Sequence, residues 1–287
     1  MKTKTFIGLM AIAVMATGCT QEADEVMNQE RGKVMTTFAC QGDFGNATFT
    51  RGALTADDKS MTDLWVLDYV GGTLVQQLHQ VSTDADFGTP SLNLDYGAHH
   101  VYFVASRGEG ATLSTDAHKI TWTKPLDTFY KDFTITVSAG TSSAHSVTLE
   151  RAVTKLTITI NDEIPADIAN IAITPVTWYY GIDYLTGGPT DAQVSAPRTI
   201  NVGSNYVGTS GVVKTSIYGF SAATEWTTDV SVVAKNGSSD VIGTANITDA
   251  PFVVNRVTNY AGNLFVNAGG FSLALSGDWS DEYSGSW

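Results

Sequence analysis

The chain has 287 residues, with 16 Lys+Arg against 29 Asp+Glu and a formal net charge of −13. Taking away Lys2 and Lys4 with the leader described below leaves a charge of about −15. A surface of that sign repels phosphate backbones, so nucleic acid is not an expected partner. With only two cysteines, one of them assigned to the leader's end, no intramolecular disulfide framework is expected, and stability has to come from packing.

At the amino terminus, Lys2 and Lys4 make a short basic region. Phe6 to Ala16 is an apolar stretch of signal-peptide length, too short to span a bilayer comfortably. It ends in Met15-Ala16-Thr17-Gly18-Cys19, small residues before a cysteine that resemble the lipobox of bacterial lipoproteins. Residues 1–18 are therefore read as the signal peptide and Cys19 as the lipid-bearing first residue of the mature protein. The alternative is an ordinary secretory signal with an incidental cysteine. Several acyl chains on Cys19 would make the anchor stable. Residues 19–32 follow as a polar, acidic tether; Thr20 to Glu25 resembles the acidic export tag of surface lipoproteins in the Bacteroides group.

Beyond the tether the texture is all-β. Val34, Thr36, Phe38 and Cys40 share one face of a first strand, and Ala47 to Arg51 continues it after Gly42 and Gly45. Leu64 to Val70 is nearly all apolar, as a strand covered on both faces should be. Gly71-Gly72 then makes a hairpin turn into Thr73–Leu78; two helical turns over Leu74 to Val81 are the alternative, and the strand reading is preferred. Further strands read at Val101–Ala105, Phe133–Val137, Val147–Leu149, Lys155–Ile160, Ile168–Ile173, Val212–Phe220, Val230–Ala234, Val241–Ile247, Val257–Phe265 and Phe271–Leu275. Gly181–Ser210, rich in Gly, Thr, Asn, Ser and Pro, reads as a long surface loop. Many short strands at this spacing imply sandwiches. A boundary at Glu150-Arg151 divides the chain into sandwiches at 33–150 and 151–287, with no sequence repeat between them.

No catalytic chemistry stands out, and neither an enzyme nor a cofactor is expected. His99 and His100 are adjacent and point to opposite faces of a strand, so they cannot share a metal. His79, His118 and His145 lack metal-site spacing, and surface histidine is the reading for each of the five. Asp57-Asp58 and Asp84/Asp86 supply too few oxygens for calcium and read as solvated loops. No nucleophile elbow, P-loop or dinucleotide fingerprint is present. Trp178, Tyr179 and Tyr180, with Tyr184 after them, form the densest aromatic cluster. That cluster is either a platform for stacking on glycans or part of a core.

Four segments together resemble the fimbrillins, two-domain transthyretin-like subunits of type V pili in Bacteroidales. The first runs from Gly45 to Arg51, through the acidic spacer Gly52–Thr62, into Asp63–Tyr69. The second is Arg151 to Ile158, similar to the basic-then-β segment joining the two domains. The third is Asn255 to Phe265. The fourth is the end of the chain, where Trp279 and Trp287 resemble a closing tryptophan pair.

The resemblance implies two transthyretin-like Greek-key β-sandwiches in tandem and a subunit delivered to the outer membrane and cell surface as a lipoprotein. It implies that a trypsin-like, arginine-specific protease cuts after an arginine, for which Arg51-Gly52 is the best candidate. A cut at Arg31-Gly32 would leave the first strand in place. Val34, Phe38 and Phe49 would then leave with the first strand, and a strand from another pilus subunit would fill the groove. Phe271, Leu273 and Leu275 alternate with small polar residues and make the candidate donor strand. The competing reading keeps Arg51 as a loop arginine and Phe271–Leu275 as a permanent strand. Implied partners are other fimbrillins, the protease, the membrane through the lipid, and host or bacterial surface ligands in adhesion. A lipid-retaining anchor subunit and a glycan-binding lipoprotein are the alternatives.

Overall fold

The computed structural model describes residues 32–42, 61–140, 142–265 and 271–278, with side chains left out for 272–278. The described chain is built of strands, with one 3-10 turn at Ser204–Tyr206 and no α-helix. In chain order the strands are β1 (Lys33–Gly42), β2 (Asp63–Val70), β3 (Thr73–Val81), β4 (Ser91–Asp95) and β5 (Gly97–Ser106). Then follow β6 (Thr112–Ser114), β7 (Lys119–Thr121), β8 (Thr128–Val137), β9 (Ser143–Arg151) and β10 (Val153–Ile160). β11 (Ile168–Pro175), β12 (Thr177–Asp183), β13 (Pro189–Val194) and β14 (Arg198–Asn201) come next. The last are β15 (Val213–Phe220), β16 (Trp226–Asn236), β17 (Val241–Phe252), β18 (Arg256–Gly262) and β19 (Phe271–Asp278).

The alternation read from sequence places side chains as expected. Along β1, Val34, Thr36 and Phe38 are buried while Lys33, Met35 and Ala39 are exposed. β2 is buried at six consecutive positions because it is central, with β3 on one side and β5 on the other. Its turn into β3 needs φ > 0 at both central residues, and Gly71 and Gly72 supply +57° and +82°.

The first sandwich is one seven-stranded sheet, β3-β2-β5-β8-β9-β1-β4, folded over on itself. The fold falls between β8 and β9, which pair only at Phe129–Arg151 and Tyr130–Glu150. Inside lie Val34, Phe38, Leu64, Val66, Leu92, Phe103, Phe129 and Leu149. The second sandwich has two four-stranded sheets, β15-β10-β18-β19 and β14-β11-β16-β17. They enclose Leu156, Ile158, Ile173, Trp178, Val232 and Ile247.

The two sandwiches repeat one plan. β4-β1-β9 matches β15-β10-β18, and β3-β2-β5-β8 matches β14-β11-β16-β17. In both, the first strand lies between an antiparallel partner (β4, β15) and a parallel one (β9, β18). Each sandwich also carries one inserted hairpin, β6–β7 after β5 and β12–β13 after β11. The two insertions pair with each other as a fourth sheet, β13-β12-β7-β6. The pairing is close: a Cβ on Gly181 would lie 2.9 Å from the carbonyl oxygen of Ile120. A third core fills the joint, taking Trp65, Tyr69, Tyr102 and Trp122 from the first half and Ile182, Tyr184, Phe220 and Val257 from the second.

One expectation is corrected here. Gly181–Ser210 is not a long loop, since it contains the end of β12, all of β13 and β14, and the 3-10 turn. Its Gly- and Pro-rich composition marks tight connections between very short strands.

Candidate functional site

β1 is held as a strand in the middle of a sheet. Lys33 to Thr37 pair antiparallel with Asp95 to Ser91 of β4, and Thr36 to Gly42 pair parallel with Ser143 to Leu149 of β9. The main-chain N–H groups of Phe38 and Cys40 donate to the carbonyls of Pro90 and Gly88, each at 2.9 Å. Phe38 is fully buried, with ring centroids 5.2 Å from Phe103 and 5.8 Å from Phe133. Thr36 Oγ1 and Ser143 Oγ are 3.1 Å apart, and an exposed ion pair joins Lys33 to Asp95 at 3.7 Å. Burial pushes the half-buried Cys40 thiol up to about 12, away from thiolate chemistry. Taking β1 away would uncover the inward side chains of Leu92, Leu94, Phe103, Val147 and Leu149, a groove with strand edges on both sides.

The other sequence-derived positions distribute as follows. β19, the candidate donor strand, is the last strand of the sheet β15-β10-β18-β19 and pairs antiparallel with β18. Phe271 is half-buried against the second core and opposite Gly262 in register. Leu273 and Leu275 are opposite Tyr260 and Thr258. Cys19, Phe49, Arg51, Gly52, Trp279 and Trp287 lie outside the described residues.

The aromatic cluster does not make an exposed platform. Trp178 is 1% exposed, Tyr180 9% and Tyr184 fully buried. The Trp178 indole Nε1–H donates to the Tyr218 carbonyl at 2.8 Å, and its ring packs edge-on to Phe252 and flat over Gly219. Only Tyr179 keeps partial exposure, edge-on to Trp226. Trp178 and Tyr180 are buried because one face of β12 packs on the second core, and the other face packs at the joint, where Tyr179 is half-covered.

His99 is a second correction. It is buried, its Nδ1 2.7 Å from Asp68 Oδ1 and its Nε2 2.8 Å from the Asp95 carbonyl. Burial raises the Asp68 carboxyl above the usual carboxylate range, with the His99 hydrogen bond and charge opposing it and Asp95 adding to it. No group of three or more His, Cys, Asp or Glu able to hold a metal occurs among the described residues.

Arg151 is a residue whose part the sequence left undefined. Its guanidinium is buried and grips Asp127 through Nε–Oδ1 at 2.7 Å and Nη2–Oδ2 at 3.0 Å, while Nη1 donates to Asn255 Oδ1 at 3.1 Å. It also lies over the Phe129 ring at 4.8 Å. One side chain thus joins β8, β9 and the turn before β18, which are contacts from both halves.

The sequence model of one family, "Fimbrillin-A associated anchor proteins Mfa1 and Mfa2", matches residues 109–279, more than half of the chain. The chain belongs to this family. The match takes in both inserted hairpins, the Arg151 segment and β19, so it spans the joint as well as the second sandwich. Among solved structures, two candidate adhesins from Bacteroides ovatus share the fold at a TM-score of 0.50 each. One is 11% identical and covers 86% of this chain and 93% of its own; the other is 12% identical, with 82% and 88% covered. The tip fimbrial protein Mfa3 of Porphyromonas gingivalis aligns at a TM-score of 0.47 and 13% identity, over 86% of this chain and all of that one. No curated protein matches the sequence. The fimbrillin membership inferred from four short segments is thus carried by a match over most of the second sandwich, and the all-β double sandwich is the fold.

Proposed function

We propose that this fimbrillin-family chain is a structural subunit of a cell-surface pilus, at the shaft or tip. It is exported to the outer membrane as a lipoprotein on Cys19 and is cut by an arginine-specific, trypsin-like protease at Arg51-Gly52. Residues 19–51 then act as a temporary tether and a placeholder strand. Loss of β1 opens the groove between β4 and β9, and a strand from another subunit, of the type of Phe271–Leu275, fills it. Such a contact does not close on itself, so it builds a filament. Adhesion to host or bacterial surfaces follows from the filament's position.

The observation that carries this reading is the seat of β1. The strand completes a core, and it is the first described strand of its sandwich, followed in the chain by the segment 43–60 that contains Arg51. Its counterpart β10 is tied into the chain on both sides. Digestion of the mature protein with an arginine-specific protease, followed by sequencing of the new amino terminus, tests it. The expected result is a start at Gly52 and polymers that incorporate a carboxy-terminal peptide. Resistance at Arg51, or cleavage without strand uptake, rejects the shaft role.

The family description names anchor proteins, and this favours a second reading in which the subunit keeps its lipid and β1 and holds the pilus at its base. Lipid still attached to Cys19 in assembled pili would decide for the anchor.

A further inference from the structure

The internal repeat brings out one difference between the sandwiches. β9 and β18 are equivalent: each follows a strand of the opposite sheet and each runs parallel to the first strand of its own sandwich. β18 has a further antiparallel neighbour, β19, which places Phe271 against the second core. β9 has no such neighbour among the described residues. Its contact with β8 ends at Tyr130–Glu150, where Lys131 and Glu150 form an ion pair at 2.6 Å. From there to Ser143 the two strands do not pair, and Ser143–Thr148 present a sheet edge on which no strand lies among the described residues.

The opening beside that edge is apolar. Phe133 and Ile135 of β8 are only half-buried against the first core, and Phe133 faces His145 at 5.8 Å between ring centroids. His145 Nε2 is buried with no hydrogen-bond partner among the described residues. An unpaired edge next to half-covered apolar side chains favours addition of a strand.

We infer that the β9 edge is a second strand-docking site, and that its occupant is the Phe271–Asp278 segment of another copy of this chain, adding antiparallel along Ser143–Thr148. The chemistry is already realised once in the molecule, since the same segment adds antiparallel to β18, the strand equivalent to β9. This inference rests on the reading of the chain as a pilus subunit but differs in place and timing. The groove of β1 exists only after β1 has left, whereas the β9 edge carries no described strand with β1 seated, so docking there needs no cut at Arg51.

The test uses the full mature chain carrying Arg51→Gln and a fluorescent peptide of the sequence 271–278. The peptide should bind and slow amide exchange at residues 143–148 while leaving 256–262 unchanged. A peptide with Phe271→Asp should bind at least tenfold more weakly, and so should the wild-type peptide to an Ile135→Lys chain. The peptide variant keeps the test valid if Ile135→Lys perturbs folding. The inference is overturned, with the pilus reading intact, if peptide is taken up only by chain cut at Arg51. It is overturned equally if the amides of 143–148 that point away from β1 are already protected in the free chain, or if protection appears only at 256–262. Absence of uptake by both cut and uncut chain overturns the inference and strand exchange together.

Discussion

Tyr69 of β2 and Tyr184, the residue after β12, meet hydroxyl to hydroxyl at 2.9 Å inside the joint between the two sandwiches. Tyr184 is fully buried and its hydroxyl is also 3.5 Å from the Thr115 carbonyl, so the pair ties β2, the β6–β7 hairpin and the β12–β13 hairpin together. Tyr69→Phe and Tyr184→Phe should each cost about 0.5–1.5 kcal/mol. The double variant should cost clearly less than their sum, because both remove the same bond. Urea unfolding of the four proteins measures this coupling; strict additivity would mean that the bond contributes nothing to the joint.

Arg151 and Asp127 form a buried ion pair, and losing one partner leaves a charge without water. Arg151→Met should therefore cost about 3–5 kcal/mol. Arg151→Lys should recover only part of this, since an ammonium cannot match both carboxylate oxygens and Asn255 at once. Chemical denaturation separates the three proteins, and equal stability of Lys and Arg would refute the role of the fork.

Trp178→Ala should destabilise by about 3–5 kcal/mol, the range for a large aromatic in a core. Gly219→Ala should also destabilise, because a Cβ there would stand 2.5 Å from the Trp178 ring. If Trp178 instead supported sugar stacking, the alanine variant would retain its melting temperature and lose glycan-array signals.

Alkaline pH should weaken the fold early. Burial raises the phenols of Tyr102, Tyr130, Tyr184 and Tyr260 above the usual tyrosine range, with charge from Asp132 adding at Tyr102 and Tyr130 and the Tyr69 hydrogen bond adding at Tyr184. In the unfolded chain these groups ionise near pH 10, as ordinary tyrosines do, while the folded chain keeps them protonated. Their contribution is complete below that pH and is lost as pH rises through the folded values. The melting temperature should stay level with respect to these groups up to about pH 9.5 and fall above it. Tyr130→Phe should flatten the fall.

Cys40 reports on β1. In a Cys19→Ser chain it is the single thiol, and its raised pKa and half-buried position should make it slow to react with thiol reagents at pH 8. Phe38→Ala removes a fully buried ring from β1 and should cost about 3–5 kcal/mol. Labelling of Cys40 should then rise by two orders of magnitude or more if β1 detaches locally. A rate unchanged by Phe38→Ala would mean that Cys40 reacts without any opening of β1.

The sequence by itself determined the strands, because alternation of buried and exposed side chains with period two is a local property. Val34, Thr36 and Phe38 could be assigned to one face, β2 to a sheet interior, and Gly71-Gly72 to a turn without knowledge of any partner strand. β4, β6, β7, β12, β13 and β14 were not legible; they are three to seven residues long, and most are too short for a period to register. Tertiary structure alone decided which faces were covered. Trp178 and Tyr180 look the same in sequence whether they stack on sugar or fill a core. His99 reads as a surface histidine until β2 brings Asp68 beneath it, and Arg151 reads as a linker charge until Asp127 and Asn255 converge on it. The repeat of the two sandwiches leaves no trace in the residues, since a strand plan constrains polarity on each face and leaves identity free. The β9 edge without a described neighbour also appears only when the sheet order is known. A strand's own residues state that it will pair, and only the fold determines which of its two edges remains open.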